Sequence, residues 1–220
     1  MFESLRKGGF IKEDMFGMCL KEGTKSNGTF TVGGPDPRLY TGEFAWSKNL
    51  GGEGLYEMPI SGMNLGGSAI DLGNRKTAIL DSGTNVLLVP TPIFNGVKQA
   101  MLGQCQAGKK LKGVCDVPSG SKSLLDGGCF DIGAVEAAAF PTLTLGITEK
   151  GLVMPPSTYL RTDGDPRATA PGQACFGIRD TGANGFLIVG DTTMENYYVA
   201  FDRANGRIGW ANATAACGSV

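Results

Sequence analysis

Hydrophobic and polar residues alternate along several short stretches, with the two-residue period of half-buried β-strands. Over residues 55–65, for example, Tyr56, Met58 and Ile60 alternate with polar neighbours, and Gly66-Gly67 follows. This pattern predicts one strand that ends in a tight turn, because paired glycines favour turns.

Similar runs predict strands elsewhere. Residues 15–21 and 29–32 read as a pair of strands, and Asn27-Gly28 between them is a hairpin signal. The remaining predicted strands lie at 43–47, 86–89, 142–145, 152–154 and 175–178. No repeat of 20 to 50 residues and no linker is visible, so no internal domain boundary is predicted.

A helical period occurs in two places. Residues 1–12 carry a short helical pattern that Gly8-Gly9 ends. A second helix follows Pro90, with Thr91 as its predicted N-cap and Pro92 at its first position. Its apolar face is formed by Ile93, Phe94, Val97 and Met101. Residues 103–128 are polar and give little structural signal, and 163–172 is predicted as a loop.

One apolar run leads directly into a carboxylate. Residues 77–80 read as a buried strand, and Asp81-Ser82-Gly83-Thr84 follows at once. A carboxylate at the end of a buried strand needs hydrogen bonds, since desolvation disfavours its charge. Gly83 N–H and the hydroxyls of Ser82 and Thr84 are available donors. The alternative is that Asp81 only opens a turn, because Asp-Ser-Gly is common turn chemistry.

Composition narrows the possible chemistry. The chain has 220 residues, with 35 Gly and 11 Pro scattered along it, as in a domain of many short strands joined by turns. Its net charge of −1 gives no reason to expect nucleic acid or an anionic membrane as partner. The chain contains no His, which excludes Ser-His and Cys-His catalysis and argues against catalytic zinc. No metal or cofactor is therefore predicted.

The six cysteines indicate disulfides rather than a metal site, since none has Cys-x-x-Cys spacing. Their spacing alone leaves 15 pairings open, and six reduced thiols are the alternative. Asn27-Gly28-Thr29 and Asn212-Ala213-Thr214 are candidate glycosylation sites. Residues 1–7 lack the apolar core of a signal peptide, and no apolar run is long enough to span a membrane. The cysteines indicate an oxidising compartment, whereas the first residues show no signal for entry into one. Both observations are expected if an upstream half of the protein is missing from this sequence.

Four motifs in order resemble pepsin-like aspartic proteases. Asp81-Ser82-Gly83-Thr84 is similar to the family's second catalytic motif, and Ile188-Val189-Gly190 to the segment that crosses it. The stretch 197–211 is similar to the family's closing strands, and Tyr40-Thr41-Gly42 to an element upstream. The resemblance implies an all-β, pepsin-like lobe of the six-stranded type with short helices. It covers most of the chain.

The resemblance also implies what the chain lacks. Enzymes of this family have two lobes, each with one catalytic Asp, and this chain contains a single Asp-Ser/Thr-Gly-Ser/Thr motif. Residues 1–220 therefore resemble a C-terminal lobe whose N-terminal lobe is absent. Asp81 is expected to act on a peptide or protein substrate, with Gly83 and Thr84 binding its carboxylate. Ser82 is expected to link this loop to its counterpart in the other lobe.

Three functions remain open: one half of a two-lobed endopeptidase, an active homodimer, or a non-catalytic binding or inhibitory module.

The resemblance implies disulfides Cys129–Cys175 and, as in β-secretase-like members, Cys19–Cys217. Cys105 and Cys115 are left as a third pair with no family counterpart. The cysteines and the resemblance together imply the secretory pathway, the extracellular space or an acidic vacuole or lysosome.

Overall fold

A computed structural model describes residues 2–20, 27–51, 54–162 and 165–219. Strands dominate the described residues, and the helices other than α2 are short. The strands are β1 (Met15–Leu20), β2 (Gly28–Val32), β3 (Tyr40–Lys48), β4 (Glu57–Pro59), β5 (Met63–Leu65), β6 (Ser68–Ile70), β7 (Thr77–Leu80), β8 (Leu87–Val89), β9 (Cys129–Asp131), β10 (Leu143–Leu145), β11 (Leu152–Met154), β12 (Leu160–Arg161), β13 (Gln173–Phe176), β14 (Ile178–Asp180), β15 (Ile188–Val189), β16 (Tyr197–Asp202) and β17 (Arg207–Ala213). The helices are α1 (Phe2–Lys7), α2 (Thr91–Gln106), α3 (Ala134–Ala137), α4 (Pro156–Tyr159) and α5 (Asp191–Met194), with a 3₁₀ turn at Leu124–Asp126.

The strands form four sheets in the described part of the chain. The strand orders are β2-β1-β16-β17-β3, β14-β8-β15-β7-β4, β11-β10-β5-β6 and β12-β13-β9. The all-β class expected from the sequence is confirmed. The largest sheets in the described residues have five strands each, so no six-stranded sheet is formed within them.

The sheet β2-β1-β16-β17-β3 is antiparallel throughout, and its central strand β16 is covered on both faces. One face joins the main hydrophobic core, which includes Phe16, Phe201 and Trp210. The rings of Phe16 and Phe201 stack with centroids 4.4 Å apart. A smaller cluster around Leu39 and Tyr198 covers the other face. Burial on two faces explains why all six residues of β16 are buried.

The first hairpin differs from its prediction. Strands β1 and β2 do pair, but Leu20 lies opposite Gly28, so Gly28 belongs to a strand. Gly28 is also not among the residues with positive φ, whereas a type I′ turn needs positive φ at both central positions. Asn27-Gly28 is therefore not the turn. Lys21, where the first strand was predicted to end, lies outside the described residues.

The strand predicted over 55–65 is two strands in different sheets. β4 pairs with β7, whereas β5 pairs with β10 and β6. Between them, Ile60 N–H donates to Lys76 O and Ser61 N–H to Gly146 O. The alternating pattern continues across this change of sheet, so it does not reveal the break. Likewise, the run 175–178 divides at Gly177 into β13 and β14.

Helix α2 has the predicted apolar face, with Ile93, Val97 and Met101 buried. Its N-cap residue is Pro90 rather than Thr91, and no side chain caps the helix. The Thr91 hydroxyl instead donates to Asp180, at 2.8 Å from Oδ1. The Thr91 hydroxyl thus binds a carboxylate far along the chain instead of capping the helix, as the local pattern predicted.

All six cysteines form disulfides, in the pairs Cys19–Cys217, Cys105–Cys115 and Cys129–Cys175. These are the expected pairs. Cys129 and Cys175 lie opposite each other in β9 and β13, and Cys19–Cys217 ties β1 to the residues after β17.

Candidate active site

Asp81 follows directly after β7, an interior strand of the sheet β14-β8-β15-β7-β4. Strand β15 lies between β7 and β8, parallel to β7 and antiparallel to β8. The loop from Asp81 to Val86 therefore crosses the end of β15 to connect β7 with β8. The Asp81 N–H donates to Val189 O at 3.0 Å, which fixes the start of this loop to the crossing strand.

The Asp81 carboxylate is bound by its own loop. Gly83 N–H donates to Oδ1 at 2.9 Å, and Thr84 Oγ1 donates to Oδ2 at 2.6 Å. The loop is closed by Thr84 N–H, which donates to Asp81 O at 3.2 Å. Each carboxylate oxygen accepts one of these hydrogen bonds and could accept more, and the residue is partly exposed. The carboxylate is held in one orientation and remains accessible to a water or a substrate.

Gly190 allows the crossing segment to approach the loop. A Cβ atom at this position would lie 2.2 Å from Thr84 O and 2.4 Å from Val86 O, so only glycine fits. The next residue, Asp191, donates its N–H to Thr84 O at 2.8 Å. Val189 and Gly190 thus lie against the loop, and Ile188 pairs with Ile79 of β7. The catalytic role of Asp81 and the supporting role of these residues stay predictions.

The third hydroxyl or amide donor expected from the motif, Ser82, is exposed. Within the part of the chain that the structure describes, the Ser82 hydroxyl has no hydrogen-bond partner. Its orientation toward solvent leaves it available to a second protein surface.

An ion cluster beside this sheet was not predicted. The Arg167 side chain donates two hydrogen bonds to Asp165, 2.9 Å to Oδ1 and 2.7 Å to Oδ2, and Arg179 of β14 also donates to Oδ2. The Asp165 side chain is 3% exposed. Hydrogen bonds from the Arg167 side chain hold the pKa of Asp165 well below its usual range, although burial alone would raise it.

The cluster ties the loop after residue 164 to β14, the neighbour of β8. The sequence contains a motif that indicates such pairs, because Asp-Pro-Arg occurs at 36–38 and again at 165–167. Both copies form Asp–Arg pairs. The motif predicts the local pair but not which copy is buried. Asp163 and Gly164, in the same predicted loop, lie outside the described residues.

The two candidate glycosylation residues, Asn27 and Asn212, are both exposed. In the described ranges, no group of three or more His, Cys, Asp or Glu side chains is placed to bind a metal ion. None of the helices in these ranges is long and apolar enough to cross a membrane.

A carboxylate held by a Gly N–H and a Thr hydroxyl, on a loop crossed by a second strand, is the kind of site that aspartic proteases use. The family model of eukaryotic aspartyl proteases matches residues 1–213. The chain therefore belongs to the eukaryotic aspartyl protease family.

Individual relatives support the same assignment. The chain is 25% identical to pepsin II-1 of Oryctolagus cuniculus, over 97% of this chain and 49% of the relative. It is 26% identical to pepsin A of Sus scrofa, over 96% of this chain and 49% of the relative. It is 30% identical to a beta-secretase of Strongylocentrotus purpuratus, over 85% of this chain and 36% of that protein. The chain thus spans about half the length, or less, of these relatives.

Proposed function

We propose that this chain is the C-terminal lobe of a two-lobed aspartic endopeptidase and that Asp81 is one of its two catalytic carboxylates. The observation that carries the proposal is the geometry of Asp81, bound by Gly83 N–H and Thr84 Oγ1 at the end of a central strand. The family membership and the fraction of each relative that the chain covers support the two-lobed form.

The proposed reaction requires two carboxylates that share one proton, because two like charges in contact cannot both ionise. The ionised carboxylate takes a proton from a water molecule, which attacks the scissile carbonyl carbon, while the protonated carboxyl polarises the carbonyl oxygen. No covalent intermediate forms, so the chemistry needs neither a nucleophilic Ser nor a His. This agrees with a chain that contains no His.

Each residue of the loop has a part in this proposal. Gly83 and Thr84 hold the Asp81 carboxylate in its orientation, since both donate hydrogen bonds to it. The crossing segment Ile188–Gly190 fixes the loop, and the exposed hydroxyl of Ser82 binds the equivalent loop of the second lobe. Substrates are extended peptides with apolar residues beside the cleaved bond, as the family implies.

Exposed apolar side chains on the surface of the chain support the proposal that a partner lobe is missing. The edge strand β2 carries two exposed apolar side chains on one face, Phe30 at 56% and Val32 at 41% exposure. Edge strands of this kind normally pair with, or are covered by, another part of a protein. The three disulfides favour the secretory pathway as the place of synthesis.

The test uses the longer polypeptide that contains these residues together with an N-terminal lobe. We expect it to cleave peptides at acidic pH, because the singly protonated pair exists between two acidic pKa values. Asp81→Asn should abolish cleavage and leave the fold intact, since the amide has the same shape without the charge. Activity is measured by peptide hydrolysis across pH, and folding by circular dichroism.

Asp71→Asn is a matched control, because Asp71 also follows a strand and accepts a hydrogen bond from the glycine two residues on, at 2.8 Å. It should leave activity unchanged. Cleavage that survives Asp81→Asn would remove Asp81 from the mechanism. Binding of peptides without any cleavage by the two-lobed protein would favour the non-catalytic alternative.

A further inference from the structure

The side chain of Asn212, one of the two sequon residues, lies at the edge of a surface pocket of about 330 Å³. Asn212 belongs to β17 and lies opposite Tyr197 of β16 and Thr41 of β3. Its side chain is exposed, and its amide has no hydrogen-bond partner in the part of the chain that the structure describes. Attaching a group to this nitrogen would break no interaction of the fold.

The pocket combines an apolar wall with a polar rim. Val153, 45% exposed, forms part of the wall, and its backbone N–H donates to the Tyr197 hydroxyl at 2.7 Å. Glu43 and Lys150, both exposed, contribute charged groups. Sugar rings have one apolar face and several hydroxyl groups, and this pocket offers surfaces for both.

The pocket is open to solvent beside Gly42, where an added Cβ atom would have no heavy atom within 4 Å. A volume of about 330 Å³ lies at the lower end of the range for small-ligand pockets, roughly 300–1,000 Å³.

We propose that Asn212 carries an N-linked glycan and that its first N-acetylglucosamine packs in this pocket, against Val153. The sequon Asn212-Ala213-Thr214 supplies the acceptor. The disulfides favour the secretory pathway, the compartment where such glycans are attached. The packed sugar covers apolar surface that water otherwise contacts, and so stabilises this end of the sheet.

The occupancy of Asn212 is tested by secreting the chain from eukaryotic cells behind a secretion signal. Peptide mass mapping should find the glycan on Asn212 in the wild-type chain. It should also find it in an Asn27→Gln variant, where Asn212 is the single remaining sequon. An Asn212 peptide without glycan in the secreted protein would overturn the proposal, whether or not Asn27 is modified.

The position of the sugar is tested in the Asn27→Gln background. An endoglycosidase trims the glycan to one N-acetylglucosamine, and this form is compared with the Asn27→Gln, Asn212→Gln chain. We expect the trimmed form to have a Tm higher by about 2–4 °C. Val153→Ser should reduce this difference, whereas Val135→Ser, at a valine that is 87% exposed on α3, should not. Equal Tm values for the trimmed form and the unglycosylated variant would place the sugar outside the pocket.

Discussion

At the scale of single residues, Gly190 is where the loop and the crossing strand are closest. The clash distances of 2.2 Å and 2.4 Å are to the backbone oxygens of Thr84 and Val86, which cannot rotate away. The motif Ile188-Val189-Gly190 indicated the position of this glycine in the sequence. The reason for it, the approach of a loop a hundred residues earlier, becomes visible only in the structure.

Gly190→Ala should therefore destabilise the protein by at least about 1–3 kcal/mol, because the added methyl group displaces the backbone of the loop. The measurement is chemical denaturation. Gly103→Ala is the control, since Gly103 lies in α2 and a Cβ atom there has open space. That variant should be more stable by up to about 1 kcal/mol, from helix propensity. Equal effects of the two changes would contradict the role given to Gly190.

The buried carboxylate of Asp165 also acts at this scale. Asp165→Asn removes the acceptor charge of the Arg167 and Arg179 hydrogen bonds, and we expect a loss of about 1.5–3 kcal/mol at neutral pH. Asp36→Asn is the matched control in the other Asp-Pro-Arg motif, residues 36–38, where the Arg38 side chain is 67% exposed. It should change stability little, because exposed ion pairs contribute little.

The sign of the pH dependence follows from the lowered pKa of Asp165. A carboxyl whose pKa is depressed by folding stabilises the protein fully above its unfolded pKa, about 3.9. The contribution is lost as the pH falls from there through the folded pKa. The Tm difference between wild type and Asp165→Asn should thus be the same at pH 7 and pH 5 and should shrink below about pH 4. A difference that shrinks already between pH 7 and pH 5 would contradict this assignment.

At the scale of elements, local pattern predicted most strands but not their sheets. Thr77–Leu80 is β7 as predicted, because a short apolar run before an Asp has clear bounds. The run 55–65 was misread as one strand because its alternation persists while the chain changes sheet after Pro59. Asn27-Gly28 is not the turn because Gly28 already pairs with Leu20 in the ladder of β1 and β2. Thr91 is not the N-cap, and its hydroxyl instead binds Asp180, a partner far along the chain.

The disulfides allow a quantitative expectation for elements far apart in sequence. In the chain-entropy model, the stabilisation grows with the length of the closed loop. The sequence separations are 198 for Cys19–Cys217, 46 for Cys129–Cys175 and 10 for Cys105–Cys115. Replacing each pair by Ala should cost about 5, 4 and 3 kcal/mol respectively. Chemical denaturation of the three double variants measures this order. A reversed order would show that packing around the sulfur atoms outweighs chain entropy.

At the scale of the whole molecule, the family resemblance supplied what periodicity could not. The Asp81 loop and the crossing segment are a hundred residues apart, and no local pattern joins them. Which surfaces stay uncovered depends on the order of strands in a sheet, and the sequence did not predict that β2 is an edge strand.

The uncovered edge strand β2 affects how the 220-residue chain behaves in isolation. On β2, Phe30 and Val32 lie on one face beside Phe16, with the Phe16 and Phe30 rings 5.4 Å apart. An edge strand with exposed apolar side chains favours pairing with a second molecule. We expect the isolated chain to self-associate as its concentration rises, without acid-dependent peptide cleavage.

Sedimentation velocity should show that Phe30→Lys weakens this association, since a charge on an edge strand opposes pairing. Val135→Lys should not, because Val135 is an isolated exposed valine on α3. If Phe30→Lys leaves the self-association unchanged, the contact between the copies lies on another surface. Robust cleavage at acidic pH by the isolated chain, lost in Asp81→Asn, would replace the two-lobed proposal with an active homodimer that brings two copies of Asp81 together.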